Sequence, residues 1–251
     1  MQRVVQSLAP AHRQGFHRIR HGQTHPGSVH HRTVFIRGFT LLELMVVIAV
    51  IGTLSALLLP AISKAKKRVA TAVCSNNLRQ WGLATMLYVT DHEDFLPPDG
   101  SPNPGNSTTN QGWYIQLPRQ LNLPPYHSMP WRTNAHADTG LTVWLCPANE
   151  RRSNGRNLFH YCLNSHIDGT GGDDRPVRIG ALQEVSSLVW LFDSKNLPAV
   201  GYWNYTHTNL HSDGANFLFL DGHVRRFHRQ DYWDETTNRG RAEASGLRWM
   251  P

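Results

Sequence analysis

One stretch dictates much of what this chain can become. From Phe39 to Leu59 it reads FTLLELMVVIAVIGTLSALLL, 21 residues with a single charged side chain, Glu43. A helix needs about 20 apolar residues to cross a bilayer's hydrocarbon core. A soluble core helix is seldom apolar on every face over that length. A cleaved secretory signal has a shorter core followed by a small-x-small site, which is missing here. The run therefore predicts a membrane-spanning helix. Glu43 is its anomaly. An acid at a helix centre costs about 2.5–3.5 kcal/mol on insertion, and somewhat less near an interface. An ionisable group within a span points to function and to a partner of opposite charge. The plainer alternative is a carboxylate that reaches out to the headgroups.

The net charge of +7 suggests nucleic acid until its distribution is considered. Arg3, Arg13, Arg18, Arg20, Arg32 and Arg37 precede the span with no acid among them. The remaining 19 basic residues nearly balance all 18 acidic ones, so no nucleic-acid binding is expected of the folded part. Arg32 and Arg37 lie before the span, and Lys64, Lys66, Lys67 and Arg68 after it. Counted alone, these charges place the C-terminal side in the cytoplasm.

Beyond Pro60, the residues Ala70, Val73, Cys74, Leu78, Trp81, Thr85 and Tyr88 recur at three- and four-residue steps. That spacing predicts an amphipathic stem helix over 61–92, with Lys66, Lys67, Arg68, Arg79 and Gln80 largely on other faces. Pro60 should kink the helix, and two prolines after Asp91 end it. A continuous helix from Phe39 to Asp91 would be about 80 Å long. Residues 97–140 are rich in Pro, Gly, Asn, Ser and Thr and read as an irregular surface segment. Strands are predicted at Leu141–Leu145, Ser187–Phe192, Ala215–Leu220 and His223–His228. Asp221-Gly222 between the last two predicts a type I′ hairpin within 211–228, with both turn residues at positive φ. A sheet packed on the apolar stem face makes the fold α+β.

Arg37-Gly38-Phe39-Thr40-Leu41-Leu42-Glu43 resembles the cleavage and methylation signal of type IV pilins and type II secretion pseudopilins. The resemblance is dense over about residues 37–90. It implies that a prepilin peptidase removes a leader, residues 1–38, by cutting after Gly38, and then methylates the amine of Phe39. Glu43 would be the fifth mature residue and would pair with the N-terminal amine of a neighbouring subunit during filament assembly. Pro60 falls where the family often bends its helix. The implied fold is a pilin-like α-β roll with a transmembrane helix over 39–60, a stem over 61–92 and an extracytoplasmic β-rich domain over 93–251. That places a single-pass protein in the bacterial inner membrane, the reverse of the charge count. Its expected partners are prepilin peptidase and other pilin or pseudopilin subunits, in a homo- or hetero-oligomeric filament. The leader is longer than is usual in the family, and a start codon near Val29–Thr33 would account for that. Its histidines 12, 17, 21, 25, 30 and 31 show no ligand spacing. The segment Asn76-Asn77-Leu78-Arg79-Gln80 with Tyr88 is similar to stems of pseudopilin-type proteins with large C-terminal domains.

His211, nine intervening residues and then Asp221-Gly222 resemble a C-terminal motif of prepilin-type proteins, one that implies no molecular role by itself. His211, Asp213, Asp221 and His223 invite a hydrolase metal reading, but turn chemistry explains both Asp-Gly pairs and no nucleophile or base accompanies them. No catalytic residue and no enzymatic activity are expected. Asp168, Asp173 and Asp174 flank a glycine loop with oxygen ligands of the kind calcium takes, although the loop lacks the EF-hand pattern and ordinary turn composition is the favoured account. No other cofactor is expected. Of three cysteines, Cys146 is open to pairing with Cys162 or with Cys74. The leading expectation is a pseudopilin-like structural subunit. The alternatives are an exported single-pass ligand-binding protein or adhesin, and a membrane-tethered hydrolase.

Overall fold

A computed structural model describes residues 38–100, 112–140, 142–155, 157–167, 177–195 and 199–251. The leader through Arg37 and the three loop aspartates 168, 173 and 174 lie outside the described residues. The chain divides into two units, 1–50 and 51–251.

The first unit contributes the opening turns of helix α1 (Leu41–Asp91). Thr40 is its N-cap. The Thr40 hydroxyl accepts the backbone N–H of Glu43 at 3.2 Å, and Glu43 Oε2 accepts the Thr40 backbone N–H at 2.9 Å. This reciprocal capping box satisfies two of the donors that a helix start leaves free. Every described residue of this unit is exposed.

In the second unit α1 runs on unbroken through Pro60. Among the described residues it is the one helix long and apolar enough to cross a membrane. Its residues stay exposed as far as Val69, after which Cys74, Asn77, Leu78, Trp81, Gly82, Ala84, Thr85, Tyr88 and Val89 are buried. These positions form the single apolar face that the stem spacing predicts.

The buried face packs against a five-stranded sheet of β1 (Tyr161–Asn164), β2 (Val189–Asp193), β3 (Val200–Gly201), β4 (Gly214–Phe219) and β5 (Val224–His228). The strand order is β3-β1-β2-β4-β5, and only the β1–β3 pair is parallel. The fold is therefore α+β, with a long N-terminal helix on an antiparallel-rich sheet. Alternation along β4 sends Leu218 toward the helix-side core, while Ala215, Phe217 and Phe219 enter a second core with Phe227, Tyr232, Leu247 and Trp249. Burial on both faces explains why β2 and β4 read as nearly continuous apolar runs. The second core is closed by helix α3 (Arg229–Tyr232) and two ribbons, β6 (Trp233–Asp234) with β7 (Arg239–Gly240) and β8 (Glu243–Ala244) with β9 (Leu247–Arg248).

Three details differ from the sequence expectations. Residues 142–145 form a turn instead of a strand. Their carbonyls are claimed by the stem: Asn77 Nδ2 donates to Thr142 O and Leu145 O, and Trp81 Nε1 donates to Val143 O. The segment 97–140 is not a surface loop throughout. It holds helix α2 (Trp113–Gln120) and buries Trp113, Tyr114, Leu117, Tyr126 and Trp131 in the helix-side core. Its prolines and glycines bend the backbone while its large side chains anchor it to Trp81, Trp144 and Phe159. The β4–β5 turn is not type I′. Gly222 has φ 91° but Asp221 is not left-handed, and Phe219 O accepts from Gly222 N–H while Phe219 N–H donates to His223 O. A three-residue loop with glycine in the left-handed position produces that pattern.

Candidate functional site

The chemistry-bearing residues gather in two places, each within one unit. The first is the start of α1. Gly38 and Phe39 are in exposed, non-helical chain just ahead of the Thr40 cap, and Phe39 is 78 % exposed. The bond between them is thus open to an enzyme. One oxygen of Glu43 accepts both the backbone N–H and the hydroxyl of Thr40. The other oxygen makes no hydrogen bond to any described residue. Glu43 is more than a charge within an apolar run: Thr-Leu-Leu-Glu carries the capping-box spacing, a local signal legible in the sequence.

The second place is where the 211–222 segment meets the stem. Leu210 and Gly214 exchange two backbone hydrogen bonds around a tight turn whose three residues, His211, Ser212 and Asp213, all have positive φ. Left-handed backbone costs an ordinary residue roughly 1 kcal/mol or more, so the turn persists because its surroundings hold it. His211 supplies that hold. Its side chain is fully buried, with Nε2 3.0 Å from Asp193 Oδ2 and Nδ1 3.1 Å from Thr71 Oγ1 on α1. At the far end of β4, a methyl group on Gly82 of α1 would meet Leu218 Cδ1 at 2.9 Å and Gly222 O at 3.4 Å. His211 and Gly222 are eleven residues apart in chain, and so are the stem positions they meet, Thr71 and Gly82. Eleven residues complete just over three helical turns, so both contacts fall on one face of the stem.

This placement separates the four residues of the hydrolase reading. His211 is buried beside Asp193. Asp213 lies 3.5 Å from Arg229, and Asp221 pairs with His223 at 2.6 Å on the surface at the opposite end of β4.

The disulfide joins Cys74 on α1 to Cys146, a sequence separation of 72. Cys162 is a free, buried thiol whose ionisation burial pushes far up. It belongs to the second core, whereas Cys74 and Cys146 lie in the helix-side core, so the sheet stands between Cys162 and the other two. His160 completes the surroundings of Cys146. Its Nδ1 accepts the Cys146 backbone N–H at 3.1 Å, its Nε2 faces Arg151 O at 3.0 Å, and burial pushes its pKa down to about 4. Asp193, Thr71 and His160 carry no sequence signal, because each reaches its partner only through the folded sheet and stem.

Residues 36–59 match the model of the prokaryotic N-terminal methylation motif. The chain carries a pilin-type N-terminal signal. That signal covers the Gly38–Phe39 bond, Glu43 and the apolar part of α1, and it marks a type IV pilin-like exported subunit. The motif implies processing by a prepilin peptidase and association with pilin-type subunits in general, and with the long apolar helix it indicates membrane anchoring. No curated protein and no solved structure matches the chain.

Proposed function

We propose that this protein is a pseudopilin-like structural subunit of a type II secretion or type IV pilus-like filament. The observation that carries the reading is the methylation motif set directly at the head of α1, with an accessible Gly38–Phe39 bond and Glu43 in the first turn of the helix. Cleavage after Gly38 releases an amine on Phe39, which is methylated. The carboxylate of Glu43 then pairs with the Phe39 amine of a neighbouring subunit as the helices assemble, which relieves the cost of an unpaired acid in an apolar setting. The chain is the peptidase's substrate and has no catalytic role of its own.

In this reading the protein sits in the inner membrane with residues 61–251 outside the cytoplasm. The Cys74–Cys146 disulfide favours that orientation over the charge count, because disulfides persist in oxidising compartments. Mass spectrometry of the mature protein tests the proposal. The expected N-terminus is N-methylated Phe39, and an intact leader in membranes with an active prepilin peptidase would overturn it. If the mature protein fails to co-purify with other pilin-type subunits, the exported adhesin reading replaces the filament one.

A further inference from the structure

Four buried side chains converge beneath the left-handed turn, and as a disulfide-closed cluster they leave one atom unaccounted for. Cys74 Sγ, Cys146 Sγ and a ring nitrogen of His211 lie within 4.8 Å of one another. His211 Nε2 is 3.4 Å from Cys146 Sγ and 3.0 Å from Asp193 Oδ2. Asp193 is fully buried, and its Oδ2 also accepts the Asn216 backbone N–H at 2.7 Å. Its other oxygen, Oδ1, is buried and has no hydrogen-bond partner among the described residues. A buried carboxylate oxygen without a partner costs several kcal/mol unless something positive meets it.

The tautomer of His211 follows from its neighbour. The Thr71 hydroxyl has one proton and donates it to Lys67 O at 2.9 Å. Toward His211 it therefore acts as acceptor, and Nδ1 carries the hydrogen. Nε2 in turn meets Asp193 Oδ2 at 3.0 Å, so it carries a hydrogen donated to that carboxylate, and a metal at Nε2 would have to displace it. A histidine that donates Nδ1–H to an outer acceptor has the outer support that metal-ligating histidines use.

We propose that the Cys74–Cys146 disulfide closes a transition-metal site, and that the reduced protein binds one zinc-class divalent ion through Cys74, Cys146 and His211. Two thiolates and an imidazole are ligands that zinc accepts in tetrahedral sites, with the fourth position left to solvent. A dithiol reductant breaks the S–S bond, becomes a disulfide itself and leaves two thiols. Metal binding then displaces the two thiol protons to solvent and passes the Nε2 proton of His211 to the adjoining Asp193 carboxylate. The thiolates balance the 2+ charge of the ion. The sulfurs must part to about 3.8 Å, the ligand spacing on tetrahedral zinc, while the nitrogen already lies near that spacing from Cys146. Disulfide and metal would thus be alternative locks on the stem and the turn that holds Cys146, the metal adding the 211–213 turn.

The test uses the mature full-length protein in detergent, oxidised or reduced with a phosphine, and cobalt(II) as probe. The reduced protein should take up one cobalt per chain with the visible bands of a tetrahedral ion and near-ultraviolet thiolate charge transfer, and zinc should displace it. The oxidised protein, which keeps every other histidine, should show neither. His211→Ala should weaken uptake more than tenfold, and Thr71→Val about tenfold as a supporting residue. If reduction alone unfolds the domain, added zinc should restore its native circular dichroism. Folded, reduced protein without cobalt uptake, equal uptake by the oxidised form, or no refolding with zinc would each overturn the proposal.

Discussion

Gly214 approaches the carbonyl oxygen of Phe227 on the neighbouring strand so closely that any Cβ at this position would overlap it. Backbone on both sides of the contact leaves no flexible side chain to yield. Gly214→Ala should therefore break the start of the β4–β5 pairing and destabilise the domain by about 1–3 kcal/mol or more, the range for overpacking. Gly155→Ala has open space around its Cβ and pays only for its left-handed backbone. Denaturant melts of the two variants give the comparison, and equal losses would contradict the packing account.

Glu43 has two separable roles. Its carboxylate caps α1 through Thr40, and its charge is the group proposed to meet a neighbour's amine. Glu43→Gln keeps an oxygen for the cap and removes the charge, whereas Glu43→Ala removes both. Both variants should be cleaved after Gly38 and both should fail to enter filaments. Normal assembly of the Gln variant, scored by shearing and immunoblotting, would show that capping alone matters.

The His211–Asp193 pair should be costly to halve. Removing one member of a buried pair destabilises by about 3–5 kcal/mol, because the other is left uncompensated. His211→Ala and Asp193→Asn should each approach that loss in the oxidised protein. The double variant should lose much less than the sum. Strict additivity in a double-mutant cycle would mean that the two residues act independently.

His160 sets a pH dependence of definite sign. Burial pushes its pKa down to about 4 in the folded protein, from an ordinary 6.5. As pH falls the unfolded chain takes up the proton first. Stability should be intact above about pH 6.5 and decline between 6.5 and 4, by up to about 3 kcal/mol from this residue. His166 and His207 are lowered by burial too and act in the same direction. His160→Gln should start less stable at neutral pH and show a shallower decline. An unchanged slope would assign the acid sensitivity elsewhere.

What the sequence made legible follows from the range of each interaction. The stem was readable because its apolar residues repeat at the helical period over many positions, and the β4–β5 hairpin because Asp221-Gly222 separates two β-prone runs. Residues 142–145 have the apolar character of a strand, yet Asn77 and Trp81, more than sixty residues earlier in chain, take their carbonyls. The four-residue strand β1 is too short to display a period. The processing signal is a local string and could be read directly. The surroundings of His211 could not, because Asp193, Thr71 and Cys146 come from three other segments, and none of the three is marked by its neighbours.

The matched intervals between His211 and Gly222 and between Thr71 and Gly82 make the C-terminal motif a caliper. Its jaws close on two points of one helix face, and β4 is the beam between them. Substitutions along the beam change only how well it packs. An insertion or deletion there would swing every following side chain to the wrong face of the sheet and leave one jaw closing on nothing.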